Sequence, residues 1–167
     1  MEYHEISVWI PAITGLAGAF IGAVSSFIPN LITEYFRRKQ ESRQLKESLI
    51  AEIAAMMEIA ELRKYRQGLR DVCTKLENSP KSTLFTFPVG IPNHYSRIYQ
   101  ANANRIGIID PKTAIDIVTF HHLIDAVVQD VNPGGPLADG CDLDGYQEAL
   151  AILDKAYGIA TKLICRT

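Results

Sequence analysis

His121 and Asp125 come closest to a reactive pair in this chain. Four residues apart, they share one face of a helix, and an imidazole beside a carboxylate can serve as an oriented base or as half of a metal site. Either role needs further ligands, and apart from neighbouring His122 the only other histidine in the body is His94. A site around His94, His121 and Asp125 is one expectation; histidines that merely pack or hydrogen-bond on a bundle helix are the other. The stretch Asp139-Gly-Cys-Asp142-Leu-Asp144-Gly145 has the look of a calcium loop but fails its template. With Asp142, Asp144 and Gly145 at the third, fifth and sixth positions, Gly140 stands where the first Asp belongs and Ala151 where the bidentate Glu belongs. Gly134-Gly135 lacks the lysine context of a phosphate loop. Cys73, Cys141 and Cys165 are odd in number, widely spaced and without a Cys-x-x-Cys pair, which predicts free thiols in a reducing compartment. No catalytic residue, cofactor or metal is assigned from these residues.

The elements that would position these groups begin with a segment of a different kind. Residues 6–33 are 28 consecutive positions without a formal charge. As a helix they extend about 42 Å, more than the roughly 30 Å of a bilayer core, so tilt or headgroup-level ends are expected. Trp9 on one side and Tyr35 and Phe36 on the other suit the interfaces, and Pro11 and Pro29 fall near the ends. The acidic start excludes a secretory signal peptide. A buried helix of a soluble bundle is the rival, and Gly15, Gly18 and Gly22 count against it at about 1 kcal/mol each relative to Ala in water. All 17 Lys and Arg lie at or after Arg37. Arg37, Arg38, Lys39 and Arg43 therefore predict an inward-facing stop with affinity for anionic lipid headgroups, and a short N-terminus outside. Gly18 and Gly22 form a GxxxG that Ser26 extends, with Gly15, Ala19 and Ala23 as a parallel row, so self-association through the span is expected.

Beyond the span the sequence is polarised. Residues 37–81 hold 11 basic and 7 acidic side chains, whereas 106–154 hold Lys112 alone against nine acids. With a formal net charge of -2, a general nucleic-acid binder is disfavoured. Arg63, Lys64, Arg66 and Arg70 remain cations that could meet nucleic acid or anionic lipid, or pack against the acidic later helices.

Leu45, Leu49, Ile53, Met56 and Ala60 mark one helical face from Glu34 to about Asn78, with a break expected near Gly68. Residues 84–92 read as an apolar loop or short extended piece with two prolines. Asn93 would cap a helix to about Arg105. Asp110-Pro111 starts another, lined by Ile115, Val118, Leu123, Ile124 and Val127, to about Asp130. Asp144 with Gln147 suggests a capping box opening a last helix through Leu150, Leu153, Tyr157, Ala160 and Ile164. The fold class is thus mainly α: a transmembrane anchor over 1–36, then an all-α domain of about four helices over 37–167.

The cation cluster after one span, Leu45-Lys-Glu-Ser-Leu49-Ile-Ala-Glu52-Ile53, and Tyr99-Gln-Ala-Asn102-Ala-Asn104-Arg105-Ile106-Gly107 together resemble a loose group of uncharacterised bacterial and prophage-borne membrane-anchored helical proteins. The resemblance implies an inner-membrane location and, for some members, a role in phage defence or as toxic membrane effectors. It brings no catalytic residues. The function expected is a non-enzymatic interaction or sensor protein that binds an unknown cytoplasmic protein. A membrane-tethered enzyme and a soluble bundle with a buried first helix are the alternatives.

Overall fold

In a computed structural model, the backbone of residues 3–166 and the side chains of 14–20, 22, 25 and 31–166 are described. The chain is mainly helical, and it divides into two units, Met1–Ser42 and Arg43–Thr167. Helix α1 (Tyr3–Leu62) enters both. In the first unit Leu16, Phe20, Leu31, Ile32, Tyr35 and Phe36 are 51–77% exposed. Among the described residues no helix is long and apolar enough to cross a membrane. Much of the expected span, including Ala23 and Ser26, lies outside the described side chains.

In the second unit the expected face of α1 is real: Leu45, Leu49, Ile50 and Ile53 are buried, and Met56 and Ala60 are partly so. The helix breaks earlier than expected. Lys64 adopts a left-handed conformation (φ 55°, ψ 34°), after which α2 (Tyr65–Glu77) begins. A lysine there costs about 1–2 kcal/mol, which the packing of both helices must offset. Gly68 lies inside α2 instead. A Cβ there would stand 2.9 Å from the Phe87 ring, so its bare backbone makes room for Phe87.

Residues 84–92 alternate without exception. Phe85, Phe87, Val89 and Ile91 are partly buried, while Leu84, Thr86, Pro88, Gly90 and Pro92 are exposed. The inward residues donate their N–H groups to Cys141 O (3.0 Å), Leu137 O (2.6 Å), Val131 O (2.9 Å) and Asn132 Oδ1 (3.0 Å). The prolines sit at outward positions, where no N–H is required. Tyr146, fully buried, donates its hydroxyl to Phe85 O (3.0 Å) and Leu137 O (3.3 Å), fastening this strap from beneath.

The next helix is shorter than expected. Asn93 does not cap it; α3 is Arg97–Asn102, continued by a 3₁₀ segment Ala103–Ile108. Its first turn is held from 46 residues away by the buried Glu52 carboxylate, which accepts from Ile98 N (2.6 Å) and Tyr99 N (2.8 Å). Asp110 does open α4 (Pro111–Val131), accepting from Thr113 N at 2.9 Å. Of the expected α4 face, Val127 is buried, Leu123 and Ile124 pack against the core and Val118 is half-buried, whereas Ile115 is exposed; Ile117, Phe120, His121 and Val131 complete the buried face. A short α5 (Pro136–Asp139) follows Gly135, whose missing Cβ would collide with the Gln129 and Asp130 carbonyls. The last helix, α6 (Leu143–Ile164), is capped by Asp142 rather than Asp144: Asp142 accepts from Gly145 N at 3.2 Å. It buries Tyr146, Ala149, Leu153, Ala156, Tyr157, Ala160 and Leu163, and leaves Ile164 exposed.

Helix α6 packs against α2 and α4. The core forms two clusters. One holds Leu69, Val127, Val131, Leu153 and Tyr157; the other holds Leu49, Ile53, Ile117, Phe120 and Ala156. Met57 and Ile124 pack against both.

Candidate functional site

At the seam between those clusters lies an apolar cavity of about 300 Å³. The end of α1 supplies Met56, Met57, Ile59 and Ala60; α4 supplies Phe120, Ile124, Val127, Val128 and Val131. The strap closes a third side with Phe87, Val89 and Ile91, and Leu153 and Tyr157 of α6 form the floor. These positions follow from local rules already described: helical spacing on α1 and α4, and period two on the strap. Methionine suits such a wall, because its unbranched, polarizable side chain re-packs readily.

Among these walls Arg63 is the one charged residue, and no acid accompanies it. Its Nη1 donates to the Tyr65 hydroxyl at 3.0 Å. By contrast Arg66 pairs with Glu61 and Asp154 (both 3.5 Å), and Arg70 pairs with Asp154 (3.3 Å). The expected match between the basic stretch and an acidic helix is therefore made by Arg66 and Arg70, while among the described residues Arg63 makes no salt bridge. Tyr157 is covered by the Arg66 guanidinium 4.4 Å from its ring centroid. Burial first, then nearby Glu61, pushes its hydroxyl up to about 12.

The histidine and aspartate of the sequence reading have separate surroundings. His121 is 1% exposed, stacked on Tyr99 at 3.8 Å and edge-on to Phe120 at 5.3 Å, and among the described residues neither ring nitrogen has a hydrogen-bond partner. Burial, with a smaller contribution from His122, lowers its pKa to about 4, so the ring is neutral at pH 7. Asp125 instead accepts from the Tyr95 hydroxyl, and burial raises its pKa. His94 is exposed and borders a shallow groove with Glu52 and Arg97. No hydrogen bond joins His94, His121 and Asp125, and among the described residues no group of three ligating side chains could hold a metal ion.

The other expected site residues lie on α1. Arg37 pairs with Glu34 (2.8 Å) and Glu41 (3.9 Å), Arg38 with Glu34 (2.9 Å), and Arg43 with Glu47 (2.7 Å), all exposed and one helical turn apart. Lys39 is exposed beside them. Gly15, Gly18, Ala19 and Gly22 are exposed, and a Cβ at any of the three glycines would meet nothing within 4 Å. The cavity was the feature that sequence reasoning missed. Its only signals were the adjacent Met56-Met57 pair and the alternation of the strap. Compared with known protein families, curated proteins and solved structures, the chain matches none.

Proposed function

We propose that the chain is a membrane-anchored, non-enzymatic interaction or sensor protein. In this reading residues 1–36 span a bacterial inner membrane with the N-terminus outside, and 37–167 form a cytoplasmic helical body that engages a protein partner. The observation that carries it is the exposure of Leu16, Phe20, Leu31, Ile32, Tyr35 and Phe36 in the first unit, followed at once in the sequence by Arg37, Arg38 and Lys39. Apolar surface of this extent requires a lipid or protein covering. The open space beside Gly15 and Gly18, where a Cβ would meet nothing within 4 Å among the described residues, supports self-association of spans. A phage-defence or toxin-type effector is the specific version, in which assembled spans perturb the bilayer.

Carbonate extraction tests the anchor: the full chain should stay with membranes, and release into the supernatant would refute it. Expressing wild type and the Gly18→Leu/Gly22→Leu variant while recording membrane potential tests the effector version. Depolarisation by wild type alone is the expected result, and equal inertness of both removes that version.

A further inference from the structure

We infer that the cavity at the core seam is a binding site for a single-chain anionic amphiphile, with the hydrocarbon among Met57, Ile124 and Leu153 and the carboxylate at Arg63. This goes beyond the membrane reading and rests on the body alone.

The size, the walls and the charge each narrow the ligand. An apolar cavity of about 150 Å³ accepts benzene, so 300 Å³ corresponds to roughly ten to twelve carbons. Apart from Arg63 and the hydroxyls of Tyr65, Tyr95 and Tyr157, the side-chain walls are hydrocarbon, sulfur and aromatic ring, too few polar groups for a sugar or nucleotide, most of whose hydroxyls would lose water without gaining partners. Arg63, exposed at the rim, offers a charge that an entirely apolar guest would not use. Arg63 is the cation at the walls, it has no carboxylate partner among the described residues, and its neighbour Tyr65 accepts its Nη1 proton while retaining its own hydroxyl proton to donate. A carboxylate placed there accepts from both groups. Entry is assigned to the strap side, because residues 84–92 are held by alternate amides rather than by a continuous ladder.

The position also explains how filling would be felt. Met57 and Ile124 belong to both core clusters, so a guest touching them links the two halves of the body.

The test uses the full chain, stabilised in an amphipathic polymer and labelled with ¹³C at the methionine methyls. Of the three methionines, Met56 and Met57 line the cavity. Decanoate should shift both signals saturably, and affinity should climb about four-fold per added methylene, then level off near twelve carbons as the space fills. Decanol should bind without headgroup pairing, and decyltrimethylammonium should bind least. Arg63→Gln, at an exposed position, should weaken decanoate about ten-fold and leave decanol within two-fold. Ala60→Phe should abolish the shifts by occupying the space; should that variant fail to fold, Ile59→Trp on the cavity rim provides the second obstruction. Signals that no amphiphile moves would overturn the inference, as would affinity that keeps rising with chain length, or decanoate binding indifferent to Arg63→Gln.

Discussion

Phe20 and Phe120 are the same side chain on helices of the same protein, in opposite surroundings. Phe120 is completely buried beside Ile53, Ile117 and Ala156, whereas Phe20 is 71% exposed. The same contrast runs through the two units: Arg43–Thr167 holds all the buried apolar side chains among the described residues, although Leu62, Leu84 and Ile115 stay exposed, and Met1–Ser42 leaves Leu16, Leu31 and Phe36 uncovered. Apolar content therefore does not distinguish them; the arrangement does. In the second unit apolar residues recur at helical spacing with acids and bases between, so one face is buried and the other solvated. In the first, apolar and small residues run round the helix, so no single face can be turned inward.

The sharpest way to break this comparison is a matched pair of truncations. Phe120→Ala should cost about 3–5 kcal/mol of unfolding free energy, read by denaturant titration of the body's helical signal. Phe20→Ala should leave that transition within about 0.5 kcal/mol. Equal losses would show that the two environments are not different.

The next effect lies within the buried unit. The unfolded His121 imidazole takes up a proton near 6.5 and the folded one only near 4. The unfolded state thus binds more protons between those values, and stability falls by about 3 kcal/mol as pH drops through that window. Asp125, whose pKa is raised, acts in the opposite sense, so the comparison is made against His121→Leu. That variant should lack this fall, and at neutral pH it should be no less stable, since it removes two unpartnered nitrogens. Parallel pH profiles for the two proteins would contradict the assignment.

Glu52→Ala should cost about 2 kcal/mol, because Ile98 N and Tyr99 N lose their acceptor. Faster amide exchange confined to those two residues and their turn is the accompanying sign. Asp154→Asn should change least. Its partners Arg66 and Arg70 are partly exposed, so the loss should stay under about 1 kcal/mol and shrink further in high salt.

The contrast also explains what the sequence could and could not reveal. Helices α1, α4 and α6 were legible because each repeats its apolar residues over several turns, and Asp110-Pro111 marked its helix start through purely local chemistry. The start of α3 was not legible, since its cap is Glu52, a residue of another helix. Lys64 gives no hint of its left-handed backbone, because lysine is normally avoided there and Gly68 offered the more natural break. On α4, Ile115 and Ile117 both look like core residues; only the helices packed around α4 decide which one turns inward. The cavity was invisible for the same reason. It is unfilled volume at the meeting of α1, α2, the strap, α4 and α6, and each segment separately has an ordinary apolar face. His121 and Asp125 do share a helix, but Tyr99 and Tyr95, contributed from elsewhere, give them unrelated roles.

The strap over residues 84–92 has its own timescale. A helix must break several consecutive bonds to open, whereas here Phe87, Val89 and Ile91 each donate one N–H bond and their outward neighbours none, with Phe85 alone held by Cys141 in both directions and by the Tyr146 hydroxyl. The strap can therefore peel in single steps while α4 and α6 stay folded, and its amides will trade hydrogen with water long before theirs do. Its opening rate, rather than that of the whole body, would be the clock for anything entering or leaving the interior.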